Sequence, residues 1–549
     1  MKIESEFITF NFQLSIFNFQ FSTEKMNRII TSLLAILAIA GVHGAEQSGD
    51  IPKLVVNITI DKLRGDYLQY FNYSFGERGF KRLMNDGLVY RQMQFEFPNV
   101  NRASAIATVF TGTNPDNHSI VAEKKYDFES HREVSILYDK DFLGNYTNEN
   151  LSPLSLLCST IGDELKMASN GKSDVFAIAP NSVEALLSAG RYANAAFWLE
   201  DYRGRFATTT YYKDIPWYVD KYNSNEVIGR NSETYTWNPA RASYTAFPYN
   251  QPLSPFKHYI YKGEKDCYLK IKTSPAINVE VTNLTAKFLE YADFGNRANP
   301  NMLSVTYYAG NYIETMSNPY SPEIQDIYIH LDKEIERLLD LVEKYVGIKN
   351  TLFVVTSTGY FDSTEVPSES FKTVGEFYPS RCTALLNMYL MTVYGQGNWV
   401  NGYYNNQIYL NRKLIEQQKI AYPEILRKCA EFIAQFTGVQ NVATSSELLF
   451  EGGEVGNASF RKGMYKGVSG DLFLELQPGR ILVDEKDSSK SRYLRNQTII
   501  APVIFFGHRI QPQKISRIIK ATEIAPTVTH VLRIRPPNGC KELPLQEFQ

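Results

Sequence analysis

Histidine and cysteine, the side chains that most often bind transition metals, are scarce: the chain of 549 residues holds 7 and 5 of them. Cys158, Cys267, Cys382, Cys429 and Cys540 are scattered without a C-x-x-C pair, which excludes a zinc knuckle and a dithiol redox motif. In an oxidising compartment they can form one or two disulfides and leave at least one thiol unpaired. Neither sign of charge is in excess, with 57 Lys and Arg against 59 Asp and Glu. A positive field able to hold nucleic acid nonspecifically is therefore not expected. Internal repeats and low-complexity linkers are also missing.

One long apolar run is present. Residues 26–45, MNRIITSLLAILAIAGVHGA, read as a secretory signal peptide: Arg28 supplies the charge, 29–40 the apolar stretch, and Gly44 or Ala45 the small residue at the cut. The run is short of the ~20 residues that span a bilayer, so the mature form is expected to carry no transmembrane span. A retained anchor is the alternative. Export to the periplasm or beyond follows from this reading. Residues 1–25 precede a second start at Met26 and are set aside.

Past the leader, 46–549 reads as one α/β domain with large insertions. LVVNITI at 54–60 is a β-rich run ending at Asp61, and Val175–Ala179, 302–307 and 351–356 are further apolar runs of strand length. Between them lie helical patterns at 161–169 and over Pro322–Tyr345, where Ile324, Ile327, Leu331, Ile335, Leu338 and Val342 recur at helical spacing. This alternation predicts a mostly parallel sheet sandwiched by helices. Two irregular insertions interrupt it. One, at about 211–294, is rich in Tyr, Asn, Pro and Trp. The second, at about 365–465, contains a helix at 422–436. The 36 Tyr and 33 Phe are first of all packing material for a large fold.

Several stretches together resemble bacterial phosphate-irrepressible alkaline phosphatases, in the type I phosphodiesterase/nucleotide pyrophosphatase branch of the alkaline phosphatase superfamily. They are LVVNITIDKLRGDYL at 54–68, TGTNP at 111–115 with His118-Ser119-Ile120, GRYANAAFW at 190–198, IYLNRKLI at 408–415, and 523–537. The likeness runs from about residue 52 to the C-terminus. It implies an alkaline-phosphatase-like fold and a reaction in which two zinc ions activate a Thr or Ser nucleophile and stabilise the leaving oxygen.

The resemblance also says where the six zinc ligands, the nucleophile and a Lys-x-Arg phosphate clamp belong. Asp61 stands at the first carboxylate. The nucleophile position falls on Arg102 counting back from Thr111, or on Asn101 counting forward from Pro98; Ser104 is the nearest hydroxyl. The clamp falls on Asn181 and Val183. The D-x-x-x-H ligands fall on Asn311 and Thr315, the D-H-G ligands on Thr358 and Gly359, and the last histidine on Ser491 or Arg492. Of six ligands one remains, and a lone carboxylate does not hold zinc, which takes about three or four protein donors. His43 lies in the leader. His118, His131, His258, His330, His508 and His530 fall outside every ligand frame, and His118 reads as a hydrogen-bonded loop residue.

No bound metal or other cofactor is expected. Arg102, or failing that Arg492, is predicted to lie near Asp61 and supply the positive charge that zinc would supply. The plainer alternative has Asp61 capping the next helix and Arg102 in solvent. The functional expectation is an exported, catalytically inactive pseudophosphatase that binds a protein partner or a ligand in the cell envelope. The rival is a phosphoric-ester hydrolase with a rebuilt site drawing on Ser104, Asp61, Glu314 and Asp362.

Overall fold

The computed structural model describes residues 51–128, 130, 132–212, 215–231, 233–246, 251–315, 321–361, 375–450, 457–485, 491–494 and 499–549. The leader at 26–45, His131 and Asp362 lie outside the described residues. Among the described residues, the central sheet has ten strands. In chain order they are β1 (Leu54–Asp61), β2 (Leu88–Gln94), β3 (Gly144–Asn145), β4 (Val175–Ala179), β5 (Ala195–Leu199), β6 (Phe206–Thr209), β7 (Asn301–Tyr308), β8 (Thr351–Ser357), β9 (Val503–Gly507) and β10 (Gln513–Lys520).

The strands lie in the order β10-β2-β9-β8-β1-β7-β4-β5-β6-β3. The five at the centre, β8-β1-β7-β4-β5, are parallel, and β9 and β6 run antiparallel to their neighbours. β1 is buried at all eight positions, which explains its nearly continuous apolar sequence. The alternation of side chains puts Asn57, Thr59 and Asp61 on one face, beside Ser304 and Thr306 of β7.

Helix α1 (Arg102–Thr111) follows β2, and α2 (Ser182–Ala189) follows β4. Helices α3 (Pro275–Tyr291) and α4 (Pro322–Tyr345) flank β7 in sequence. The α4 stripe that begins at Ile324 is buried, as its spacing requires. Residues 275–291, read from sequence as part of the first insertion, form α3 and pack on the sheet. Its Asn278 Nδ2 donates to the Tyr308 carbonyl at 2.9 Å, and its Oδ1 accepts the Tyr308 N–H at 2.8 Å. The first insertion itself holds two small two-stranded antiparallel sheets, one of them pairing Thr234–Trp237 with His258–Tyr261.

The second insertion has a core of its own around Leu386, Leu390, Trp399, Ile425, Cys429 and Ile433. Its sheets draw in Leu472–Leu476 and Arg492–Tyr493, so it reaches past residue 465. A short apolar run carries no sign of which sheet it will join. All five cysteines are free thiols. No helix among the described residues is long and apolar enough to cross a membrane.

Candidate functional site

In open α/β sheets the carboxyl ends of the strands form the ligand crevice. Here that edge gathers Asp61 at the end of β1, Thr358 after β8, Asn311 after β7, Asn181 after β4, and the N-terminus of α1.

Asp61 is fully buried, and both its oxygens are engaged. Arg102 donates to Oδ2 from Nη2 at 2.8 Å and from Nε at 3.0 Å. Thr358 Oγ1 donates to Oδ1 at 2.9 Å and accepts the Lys62 N–H at 2.9 Å. The Arg102 side chain is 16 % exposed. Burial opposes its charge, but the Asp61 carboxylate overrides that and holds it firmly protonated.

A second buried acid shares the guanidinium. Glu184 Oε1 lies 2.8 Å from Arg102 Nε, and the more exposed Glu123 approaches Nη1 at 3.8 Å. Glu184 sits in the first turn of α2. It accepts the Asn181 N–H on Oε2 at 3.0 Å and Asn181 Nδ2 on Oε1 at 3.1 Å. Burial pushes the Glu184 carboxyl up to about 7 despite the pull of Arg102, and Asp61 nearby adds to the rise.

Local sequence explains how Arg102 reaches this place. Asn101 is the N-cap of α1: its Oδ1 accepts the Ser104 N–H at 3.1 Å, while Ser104 Oγ accepts the Asn101 N–H at 3.1 Å. The cap makes Arg102 the first helical residue and turns it toward β1. A cation there opposes the helix dipole, so it is tolerated because two carboxylates meet it. Asn101 and Ser104 are thus capping residues. The Ser104 hydroxyl is buried and also donates to the Asn101 carbonyl at 3.2 Å.

The structure brings Asp61, Arg102, Thr358 and Asn181 together through direct contacts, with Glu184 as the added member. Val183 is buried in α2. The Asn311 carbonyl accepts from Tyr308 OH at 2.6 Å. Thr315 belongs to a single turn, Ile313–Thr315, where its hydroxyl donates to the Tyr312 carbonyl at 3.3 Å. Gly359 has a left-handed backbone, φ 67°. Ser491 accepts the Asp484 N–H at 3.0 Å, and Arg492 pairs with Leu482 in the small sheet of the second insertion. Glu314 is 44 % exposed and bound by Lys270 at 2.6 Å, whose hydrogen bond holds its carboxyl below the usual range.

His118 is fully buried, with Nε2 3.1 Å from Thr108 Oγ1 and Nδ1 accepting the Ile120 N–H at 3.1 Å. Burial pushes its imidazolium down to about 3. His258, in the first insertion, contacts Glu323 of α4 at 2.7 Å, away from this cluster in sequence and element.

Glu184 and Glu123 escaped the sequence reading. Asn181-Ser182-Val183-Glu184 is a capping-box pattern, which marks Glu184 as a first-turn residue but not as a partner of Arg102.

These residues do not fit two zinc ions. Each would need about three or four donors, whereas the six ligand positions offer Asp61, the hydroxyls of Thr315 and Thr358, the Asn311 amide, Gly359, and Ser491 or Arg492. Among the described residues no group of three or more His, Cys, Asp or Glu is arranged to hold a metal ion.

The family of type I phosphodiesterases / nucleotide pyrophosphatases matches residues 55–497, and the chain belongs to it. Alkaline phosphatase PafA of Elizabethkingia meningoseptica is 25 % identical over 94 % of this chain and 98 % of its own length. Alkaline phosphatase PhoV of Synechococcus elongatus is 26 % identical over 89 % and 91 %. A Myroides odoratus protein named calcium-transporting ATPase is 27 % identical over 94 % and 98 %. The crystal structure of wild-type PafA superposes with a TM-score of 0.76, covering 91 % of this chain and 99 % of that one at 23 % identity. The fold is that of the alkaline phosphatase superfamily.

Proposed function

We propose that this chain is an exported pseudophosphatase: a member of a phosphatase and phosphodiesterase family that binds no zinc, transfers no phosphoryl group, and acts by binding a protein partner or ligand in the cell envelope. The observation that carries the reading is the Arg102 guanidinium lying 2.8 Å from Asp61 Oδ2, at the end of β1 where the family resemblance expects a metal and its nucleophile. A cation fixed on that carboxylate competes with any metal for it. Thr358 holds the other oxygen, so Asp61 has no oxygen left uncommitted. The apolar run at 26–45 supports export, and the two insertions supply surface for a partner.

The rival is a phosphoric-ester hydrolase working without the family's metals. It is favoured by relatives named alkaline phosphatases, and by Glu184, a buried carboxyl that titrates near neutrality beside the cleft.

Elemental analysis of the purified protein, with p-nitrophenyl phosphate and bis-p-nitrophenyl phosphate assays in added zinc, separates the two. Zinc far below one ion per chain and no turnover above buffer support the pseudophosphatase. Stoichiometric zinc with zinc-dependent turnover overturns it, and metal-independent turnover lost in Glu184→Gln establishes the rival.

A further inference from the structure

At Gly359 the chain itself fills the space beside the backbone. A Cβ added there would stand 2.9 Å from Cδ2 of Phe95 and closer still to Cε2. Real carbon atoms do not approach so closely without displacement. Phe95 follows β2 and Gly359 follows β8, and both strands end at the edge that carries Asp61. The ring therefore occupies the space that any side chain at 359 would need.

The ring is not a loose end. Its edge meets Phe97 at a centroid distance of 5.8 Å, and Phe97 is buried against Gly463 of the second insertion. Between them Glu96 is bound by Lys462 at 2.6 Å and by Lys520 at 3.5 Å. Phe95-Glu96-Phe97 is thus clamped to the second insertion on one side and leads, through Pro98, to Asn101 and Arg102 on the other. One loop carries both the ring at 359 and the guanidinium at Asp61.

We propose that Phe95 is a plug. It excludes a metal-binding side chain from position 359, so restoring ligands at 358 and 359 does not recreate a metal site while the ring is in place. This rests on the reading of the cleft as metal-free and extends it. Beyond losing its donors, the cleft has been refilled, with Arg102 at the charge and Phe95 at the volume. Asp61 and Thr358 are already in contact at 2.9 Å, and position 359 adjoins 358 in the chain.

The test compares Arg102→Ser/Thr358→Asp/Gly359→His with the same triple variant carrying Phe95→Ala, by zinc titration calorimetry with circular dichroism as the check on folding. Zinc binding at least about ten-fold tighter in the variant without the ring supports the plug, since groups around a metal's ligands commonly change affinity by that factor or more. Equal affinity, or no binding by either folded variant, overturns it.

Should the triple variants not fold, the melting temperatures of Gly359→Ala with and without Phe95→Ala decide the same point. The left-handed backbone cost is common to both backgrounds and cancels. A smaller loss in the Phe95→Ala background supports the plug, and an equal loss overturns it. Stoichiometric zinc on the wild-type protein would instead sink the metal-free reading, and that measurement is separate.

Discussion

Replacing Arg102 by Met keeps much of the aliphatic bulk and removes the cation that pairs with both Asp61 and Glu184. Asp61 is fully buried, and after the change its Oδ2 loses both donors, leaving one hydrogen bond from Thr358 on Oδ1. Glu184, also fully buried, loses its 2.8 Å contact. Breaking a buried pair by removing one partner costs about 3–5 kcal/mol, because a charge is left uncompensated. Arg102 is 16 % exposed, so some water will enter and the lower half of that range is expected.

The cost must also depend on pH. Two carboxylates without a cation relieve themselves by taking up protons, at about 1.4 kcal/mol per pKa unit, and that relief is cheap near pH 5 and costly near pH 8. Urea unfolding of wild type and Arg102→Met at these two pH values measures both effects. A deficit under about 1 kcal/mol near pH 8, or one that does not shrink toward pH 5, would refute the buried-pair reasoning. Arg102→Lys keeps the charge but loses the two-nitrogen fork, so it should fall between the two.

Glu184 takes up a proton on folding, because its folded-state pKa of about 7 lies above the usual carboxyl value. Its contribution is therefore complete in acid and lost as pH rises through about 7, and Glu184→Gln should flatten that part of the stability profile. His118 has the opposite sign. Its folded-state pKa of about 3 lies below the free imidazole value, so stability falls as pH drops from the free value toward 3, and His118→Gln should lessen that fall in an acid unfolding series. Asn101→Ala removes the cap of α1 and should cost about 1 kcal/mol in urea unfolding; an unchanged midpoint would deny the cap its role in aiming Arg102.

Much of the fold was legible because its centre is built from apolar runs of strand length that alternate with helical patterns. A strand such as β1, apolar at nearly every position, belongs in the middle of a parallel sheet, and the helical stripe of α4 belongs against it. The insertions were harder to bound. Residues 275–291 fall in the stretch rich in Tyr, Asn, Pro and Trp yet form a core helix, and 472–476, beyond the expected end at about 465, join the second insertion. At the site, Asp61 and the positions of its missing co-ligands could be placed because the resemblance to the phosphatase family says where those ligands belong. Choosing between Asn101 and Arg102 needed the backbone, since the capping box decides which of the two turns inward. Glu184 and Phe95 were invisible because each acts across the cleft on a residue far away in sequence.

Asp61 is held by a protein cation in the pseudophosphatase and by a metal in an active member of the family. Crystals of the purified protein grown in zinc, with anomalous data collected above and below the zinc absorption edge, test this directly. The expected result is no zinc peak at Asp61 and guanidinium density of Arg102 at hydrogen-bonding distance from its carboxylate. A zinc peak on Asp61, with Arg102 swung out of the cleft, would contradict it.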